Sequence, residues 1–99
     1  MKQETIQIGA KTVQGYVIPA GPVNLVFACT PDGLVGCGAI DAGALDRFHY
    51  AAARVRPTRG TSIATIEDLL AGEIREANEA ARQRGVAVGM SGREALERM

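Results

Sequence analysis

The hydrophobic pattern of this chain changes period once, near Asp41, and that change limits what it can fold into. Before it, apolar side chains recur every second residue, as in strands with one buried face; after it, they recur at helical spacing. Strands and helices segregated in this way define an α+β domain, with helices packed against an antiparallel sheet, not the alternating units of α/β folds. At 99 residues, the chain is expected to form a single domain over 1–99 around one thin core.

Residues 4–8 alternate polar and apolar, then Gly9-Ala10 precedes a second strand over 11–18. Glycine at the first central position suits a two-residue type II′ turn, which sets Ile6 opposite Val13. Pro19-Ala20-Gly21-Pro22 reads as a break, because proline cannot donate to a ladder. Residues 23–30 are the most apolar segment and predict a central strand. Pro31-Asp32-Gly33 predicts a type I turn with a glycine bulge, returning 34–40 as the partner strand. In that register Cys29 faces Val35 and Phe27 faces Cys37. Leu25, Phe27, Cys29, Val35, Cys37 and Ala39 then share one apolar face, with Gly36 and Gly38 on the other beside Val26 and Ala28.

Asp41 is placed to cap a short helix ending near Tyr50 or Ala52. Residues 51–56 read as a short fifth strand, since Val55 is β-branched and Pro57 follows. A polar loop spans 57–64. Thr65-Ile66-Glu67-Asp68 is a capping box with Asp in place of Glu, opening a long helix that ends at Gly85. Its apolar stripe is Ile66, Leu69, Leu70, Ile74, Ala77 and Ala81; Glu67, Glu73, Arg75, Glu79 and Arg82 face water. Ser91-Gly92-Arg93-Glu94 is a second capping box, turning Ala95, Leu96 and Met99 inward. So short a helix is not stable alone in water, so it docks on the body. The expected order is ββββαβαα: an antiparallel sheet of two hairpins plus a short fifth strand, with one long and two short helices.

Lys+Arg and Asp+Glu are equal at 11 each, so the formal charge is zero. Nucleic-acid and anionic-membrane binders draw affinity from excess Lys and Arg, so neither partner is expected. No apolar run exceeds about five residues, against the ~20 of a transmembrane helix or the ~7–15 of a secretory signal core. A cytoplasmic protein is expected.

Both cysteines read first as small buried hydrophobes. A disulfide would join diagonal positions roughly 7–8 Å apart, beyond the usual range for a bridge. For Cys37 to act as a nucleophile, a cation, a histidine or a helix start must lower its pKa. The helix start at Asp41 is about 13 Å away at ~3.3 Å per residue. His49 is the only histidine. Asp46 precedes it on the same helical face, which suits an oriented base or a plain surface pair. One histidine and two buried cysteines cannot complete a tetrahedral zinc site, so no metal is expected, and no motif calls for a cofactor.

Arg54 and Arg56 alternate onto one strand face and are followed by Arg59, Gly60, Thr61 and Ser62, with Arg47 on the preceding helix. Guanidinium forks among hydroxyls suit a phosphate or carboxylate; solvated arginines, or arginines paired with a partner's acids, are the plainer alternative. Gly36 and Gly38 thin their strand, so a helix, a second subunit or a ligand approaches there.

Four stretches carry a resemblance: Asn24-Leu25-Val26; Gly33-Leu34-Val35-Gly36-Cys37-Gly38-Ala39-Ile40-Asp41; Thr65-Ile66-Glu67-Asp68-Leu69-Leu70; and Gly89-Met90-Ser91-Gly92-Arg93-Glu94-Ala95-Leu96. With their spacing they span most of 23–99 and resemble the domain of unknown function 1805 family (YunC-like proteins). The resemblance implies a small α+β bacterial or archaeal protein without an assigned activity. It draws attention to Cys37, Gly38 and Asp41, which match the family's signature.

The leading functional expectation is a non-catalytic binding or assembly module that self-associates as a homo-oligomer, with a small anionic ligand as a further partner. The alternative is a small enzyme acting on an anionic metabolite, with Cys37 as nucleophile, His49 as base and Arg54 or Arg56 as anion clamp. That alternative requires those residues to converge in one pocket. Nucleic-acid binding through Arg54, Arg56 and Arg59 is the least supported.

Overall fold

The computed structural model describes all 99 residues. Lys2–Ile8 (β1), Lys11–Ala20 (β2), Val23–Thr30 (β3) and Gly33–Gly36 (β4) form an antiparallel meander with two residues between successive strands. At the first turn Gly9 has φ +61° and Ala10 stays out of the left-handed region, which fits a type II′ turn; Ile6 pairs with Val13 as expected. Pro19 does not break β2. It pairs with Asn24, and the chain reverses at Gly21-Pro22 with Gly21 at φ +58°.

The hairpin of β3 and β4 differs from expectation by one residue: Thr30 pairs with Gly33, Cys29 with Leu34 and Phe27 with Gly36. Gly33 is not left-handed, so no glycine bulge forms. Thr30 Oγ1 instead accepts the N–H groups of Asp32 and Gly33, both at 3.1 Å, which holds the loop to two residues. Glycine is needed at 33 for space, since a Cβ there would lie 2.6 Å from Met99 Sδ. The slip turns β4 over relative to β3. Val26, Ala28, Val35 and Cys37 now share the buried face, and Leu25, Phe27, Cys29 and Leu34 the other. The two free cysteines therefore lie on opposite faces. The expected face combining Gly36 and Gly38 with Val26 and Ala28 does not form. Gly36 is closed over by Ile40 on the opposite face, and Gly38 lies beyond the strand.

β4 stops at Gly36 because the chain turns, with the Ile40 N–H on the Cys37 carbonyl at 3.0 Å. Asp41 then caps Ala42–Leu45 (α1) through the Ala44 N–H at 3.0 Å, and a 3₁₀ turn over Asp46–Phe48 ends the helical stretch short of Tyr50. Ala51–Arg56 (β5) returns parallel to β4, so the sheet is mixed.

The long helix expected from Thr65 is instead Ile66–Ala71 (α2), Glu73–Ala77 (β6) and Glu79–Gln83 (α3). The residues of β6 are good helix formers, but antiparallel pairing with β5 covers an otherwise open sheet edge and overrides propensity. Gly72 makes the transition where a Cβ would press within 2.9 Å of Val55 Cβ. Asn78 then caps α3 through the Ala81 N–H at 2.9 Å, and the left-handed Gly85 follows it. The six strands lie in sequence order. α2 and Gly92–Glu97 (α4), each opened by the expected capping box, bring Leu69, Ala95, Leu96 and Met99 onto Val13, Val26, Val35 and Ile74.

On the other face α1 packs against β5, burying Ala42 and Ala52. From β2 to β4 that face is open. Tyr16, Ile18, Leu25, Phe27, Cys29 and Leu34 are half-buried there, with the Tyr16 and Phe27 rings stacked at 4.9 Å. No helix is long and apolar enough to cross a membrane.

Candidate functional site: a cleft where one strand ends early

β4 has four residues and lies between strands of eight and six. Residues 23–25 of β3 and 55–56 of β5 continue past its end while the chain turns away at Cys37. Neighbouring strands sit ~4.8 Å apart, so the missing length leaves a slot roughly 10 Å wide. The slot is a cleft of about 530 Å³, within the usual range for small-molecule sites. It lies at the carboxyl ends of β4 and β5, the single parallel pair, where ligands of open α/β sheets also bind.

Pro22–Leu25, Cys37–Ala39, Arg54–Pro57 and the loop Thr61–Ala64 border the cleft, together with Arg75. Asn24 Nδ2 donates to the Ala64 carbonyl at 3.0 Å, and Asp68 Oδ2 accepts the N–H groups of Ala64 and Thr65 at 3.1 and 3.2 Å. These bonds fix the loop. The Ala64 N–H first, and the Thr65 hydroxyl next, hold the Asp68 carboxyl below its ordinary range.

Three guanidinium groups border this space. Arg54 Nε donates to Glu76 Oε1 at 2.8 Å, and Arg56 pairs with Glu73. Both acids reach the arginine face because β6 is bulged: Arg54 pairs with Glu76 and Val55 with Ile74, leaving Arg75 with no partner in β5. Residues three apart on a regular strand would point to opposite faces. Arg75 is exposed and has no carboxylate within salt-bridge distance, unlike its two neighbours.

Of the residues singled out in the sequence, Cys37, Gly38, Arg54, Arg56, Thr61 and Ser62 meet at this cleft, with Cys37 only 6 % exposed. Asp41 borders a smaller adjoining hollow with Gly38, Arg54 and Glu76 while its carboxylate caps α1. Gly36 is outside, behind Ile40; Arg59 and Arg47 are exposed and also outside. His49 is exposed, left-handed at φ +56°, and closes the 3₁₀ turn away from the cleft. Asp46 does not orient it, since its carboxylate accepts the Ala80 N–H at 3.1 Å. The thiol and the arginines come together; the histidine does not join them. Arg75 was not among the expected site residues. The signal that could have found it is the match of Arg54 and Arg56 with Glu73 and Glu76, opposite charges suited to paired strands.

Fold and cleft together define a small α+β domain on one mixed six-stranded sheet, notched where β4 ends. The chain belongs to the family described as domain of unknown function (DUF1805), which matches residues 36–99. It is similar to uncharacterized protein YunC of Bacillus subtilis (strain 168), with 29% identity over 94 residues, 95% of this chain and 92% of that protein. Its fold is similar to the crystal structure of a protein of unknown function, TA1206, from Thermoplasma acidophilum, with a TM-score of 0.85 and 24% identity. That match covers 97% of this chain and 89% of the other, and at this identity it speaks for the fold alone.

Proposed function

We propose that this protein is a binding module for a small anionic ligand, held in the cleft at the end of β4. The observation that carries this reading is the convergence of Arg54, Arg56 and Arg75 with the hydroxyl-bearing residues Thr61 and Ser62 on one concave site. Guanidinium forks and hydroxyls are the groups that hold carboxylate and phosphate. The residues bordering the cleft include no histidine, aspartate or glutamate to serve as a general base for Cys37, which favours binding over catalysis. Thermal unfolding at low ionic strength with millimolar octanoate, benzoate, citrate or phosphate tests it. A ligand at about 100 times its Kd adds about 2.7 kcal/mol, several degrees in Tm for a domain of this size. At least one probe raises the midpoint, and the triple variant R54Q/R56Q/R75Q loses the effect. No shift with any probe overturns the proposal.

A second reading, self-association, is favoured by the open sheet face. Tyr16, Ile18, Leu25, Phe27, Cys29 and Leu34 form a half-buried surface without charge, so nothing on it repels another copy of the same chain. Light scattering at micromolar concentration is expected to give a mass of two chains or more, falling to one in Leu34→Lys. A one-chain mass for the unaltered protein overturns this second reading and leaves the first untouched.

A further inference from the structure

We propose that the cleft selects a singly charged, amphipathic carboxylate whose head group is held by Arg75; this rests on the anion-binding reading and narrows it. Two of the three bordering guanidinium groups are already neutralised, Arg54 by Glu76 and Arg56 by Glu73. One uncompensated positive charge remains, on Arg75. A dianion such as phosphate, or a trianion such as citrate, would meet carboxylates within the same cluster and gain only one free cation. A monocarboxylate matches that charge.

Arg75 is the extra residue of a β-bulge, and bulges commonly re-aim a side chain beside a functional site. A regular strand would pair residue 75 and leave Glu73 and Glu76 on opposite faces. The bulge therefore neutralises two arginines and leaves the third free at the cleft.

Of the sixteen bordering residues seven are hydrophobic, among them Val23, Leu25, Ala39, Val55 and Ile63. Val23 is 54% exposed, one of only four large hydrophobic side chains left so open, and it stands on the cleft's border. An inorganic anion leaves that apolar lining in water. A ligand with a compact apolar body covers it, at about 25 cal/mol per Å² buried.

Calorimetric titration at low ionic strength with octanoate, benzoate, inorganic phosphate and citrate tests the assignment. Octanoate or benzoate binds more tightly than phosphate and citrate. The affinity falls tenfold or more in Arg75→Gln and is largely restored in Arg75→Lys. Arg75 is exposed and without an acidic partner, so the thermal midpoint of the ligand-free Arg75→Gln variant stays within a few degrees of the parent. Tighter binding of phosphate or citrate, or octanoate affinity unchanged in Arg75→Gln, overturns this inference and leaves the anion-binding reading standing. Failure of all four probes overturns both.

Discussion

Glu76 accepts the Nε–H of Arg54 at 2.8 Å across the β5–β6 pair, directly beside the residue that the bulge leaves unpaired. This bond decides how much positive charge the cleft presents. Glu76→Gln removes the neutralising charge and releases the Arg54 guanidinium. Citrate affinity is expected to rise about three- to tenfold at low ionic strength, with the gain lost at high salt, because the groups are partly exposed and screened. Stability is expected to change by less than about 1 kcal/mol, since the two side chains are 37% and 49% exposed. Calorimetry on the parent and variant checks both values. An unchanged citrate affinity shows that Arg54 does not reach the bound anion.

The two thiols are expected to differ in reactivity. Cys29 is half-buried on the open sheet face, and Cys37 is buried at the cleft. Treatment with N-ethylmaleimide followed by peptide mass spectrometry is expected to label Cys29 first, with Cys37 slower by roughly tenfold or more. Burial pushes the Cys29 thiol up from its ordinary value of 9.0, so its labelling rate keeps climbing past that pH. Faster labelling of Cys37 would mean that the cleft opens in solution.

The structure separates what neighbouring residues decide from what distant ones decide. Asp41, Thr65 with Asp68, and Ser91 with Glu94 cap their helices through contacts three residues away, so those starts were legible in the sequence. Gly9 set its turn and the Ile6–Val13 register by the same local logic. Gly33 misled because its glycine is required by Met99, 66 positions along the chain, and not by the turn. That single slip exchanged the faces of Gly36 and Cys37. Residues 73–77 carry Ile74 and Ala77 three apart, a spacing that fits a helix and, once bulged, a strand; the edge of β5 decides between them. Half of the candidate site was legible for the same reason. Arg54 and Arg56 lie within β5, and Cys37 and Gly38 directly follow β4, two strands whose character was visible. Arg75 reached the cleft through a bulge that no local pattern announces, and His49 and Arg59 sit on turns whose direction the sequence left open.

Asn78 is expected to be the most sensitive polar position in the chain. Its Oδ1 accepts the N–H groups of Ala52 and Ala81 at 3.1 and 2.9 Å, and its Nδ2 donates to the carbonyls of Ala42 and Tyr50, both at 2.9 Å. One buried amide thus ties β5, α1 and α3 together. Asn78→Ala strands four backbone groups, each costing about 1–3 kcal/mol if left buried without a partner. The expected loss is about 3 kcal/mol or more, a fall of more than about 10 °C in Tm. Asn78→Asp keeps the acceptors and loses the donors. Denaturation of the two variants that shows equal, small losses would remove this role.

Asp68 links acidity to the rim of the cleft. Its carboxyl lies below the ordinary value of 3.8 because the Ala64 N–H, then the Thr65 hydroxyl and N–H, stabilise the charged form, with Arg59 adding its positive charge. Between the lowered folded value and the unfolded one, the unfolded chain binds more protons. The contribution of Asp68 is therefore present above the ordinary value and is lost as pH falls through the folded one. The same carboxylate anchors Ala64, which Asn24 holds from the other side, so protonation releases part of the loop bordering the cleft. Asp68→Asn removes the charge and with it this share of the acid sensitivity. Stability measured by urea denaturation is expected to fall less steeply below about pH 4 in Asp68→Asn than in the parent. Ligand affinity of the parent is expected to weaken over the same interval. Parallel stability profiles for the two proteins down to the lowest pH at which both fold would show that the loop is held by Asn24 and packing alone.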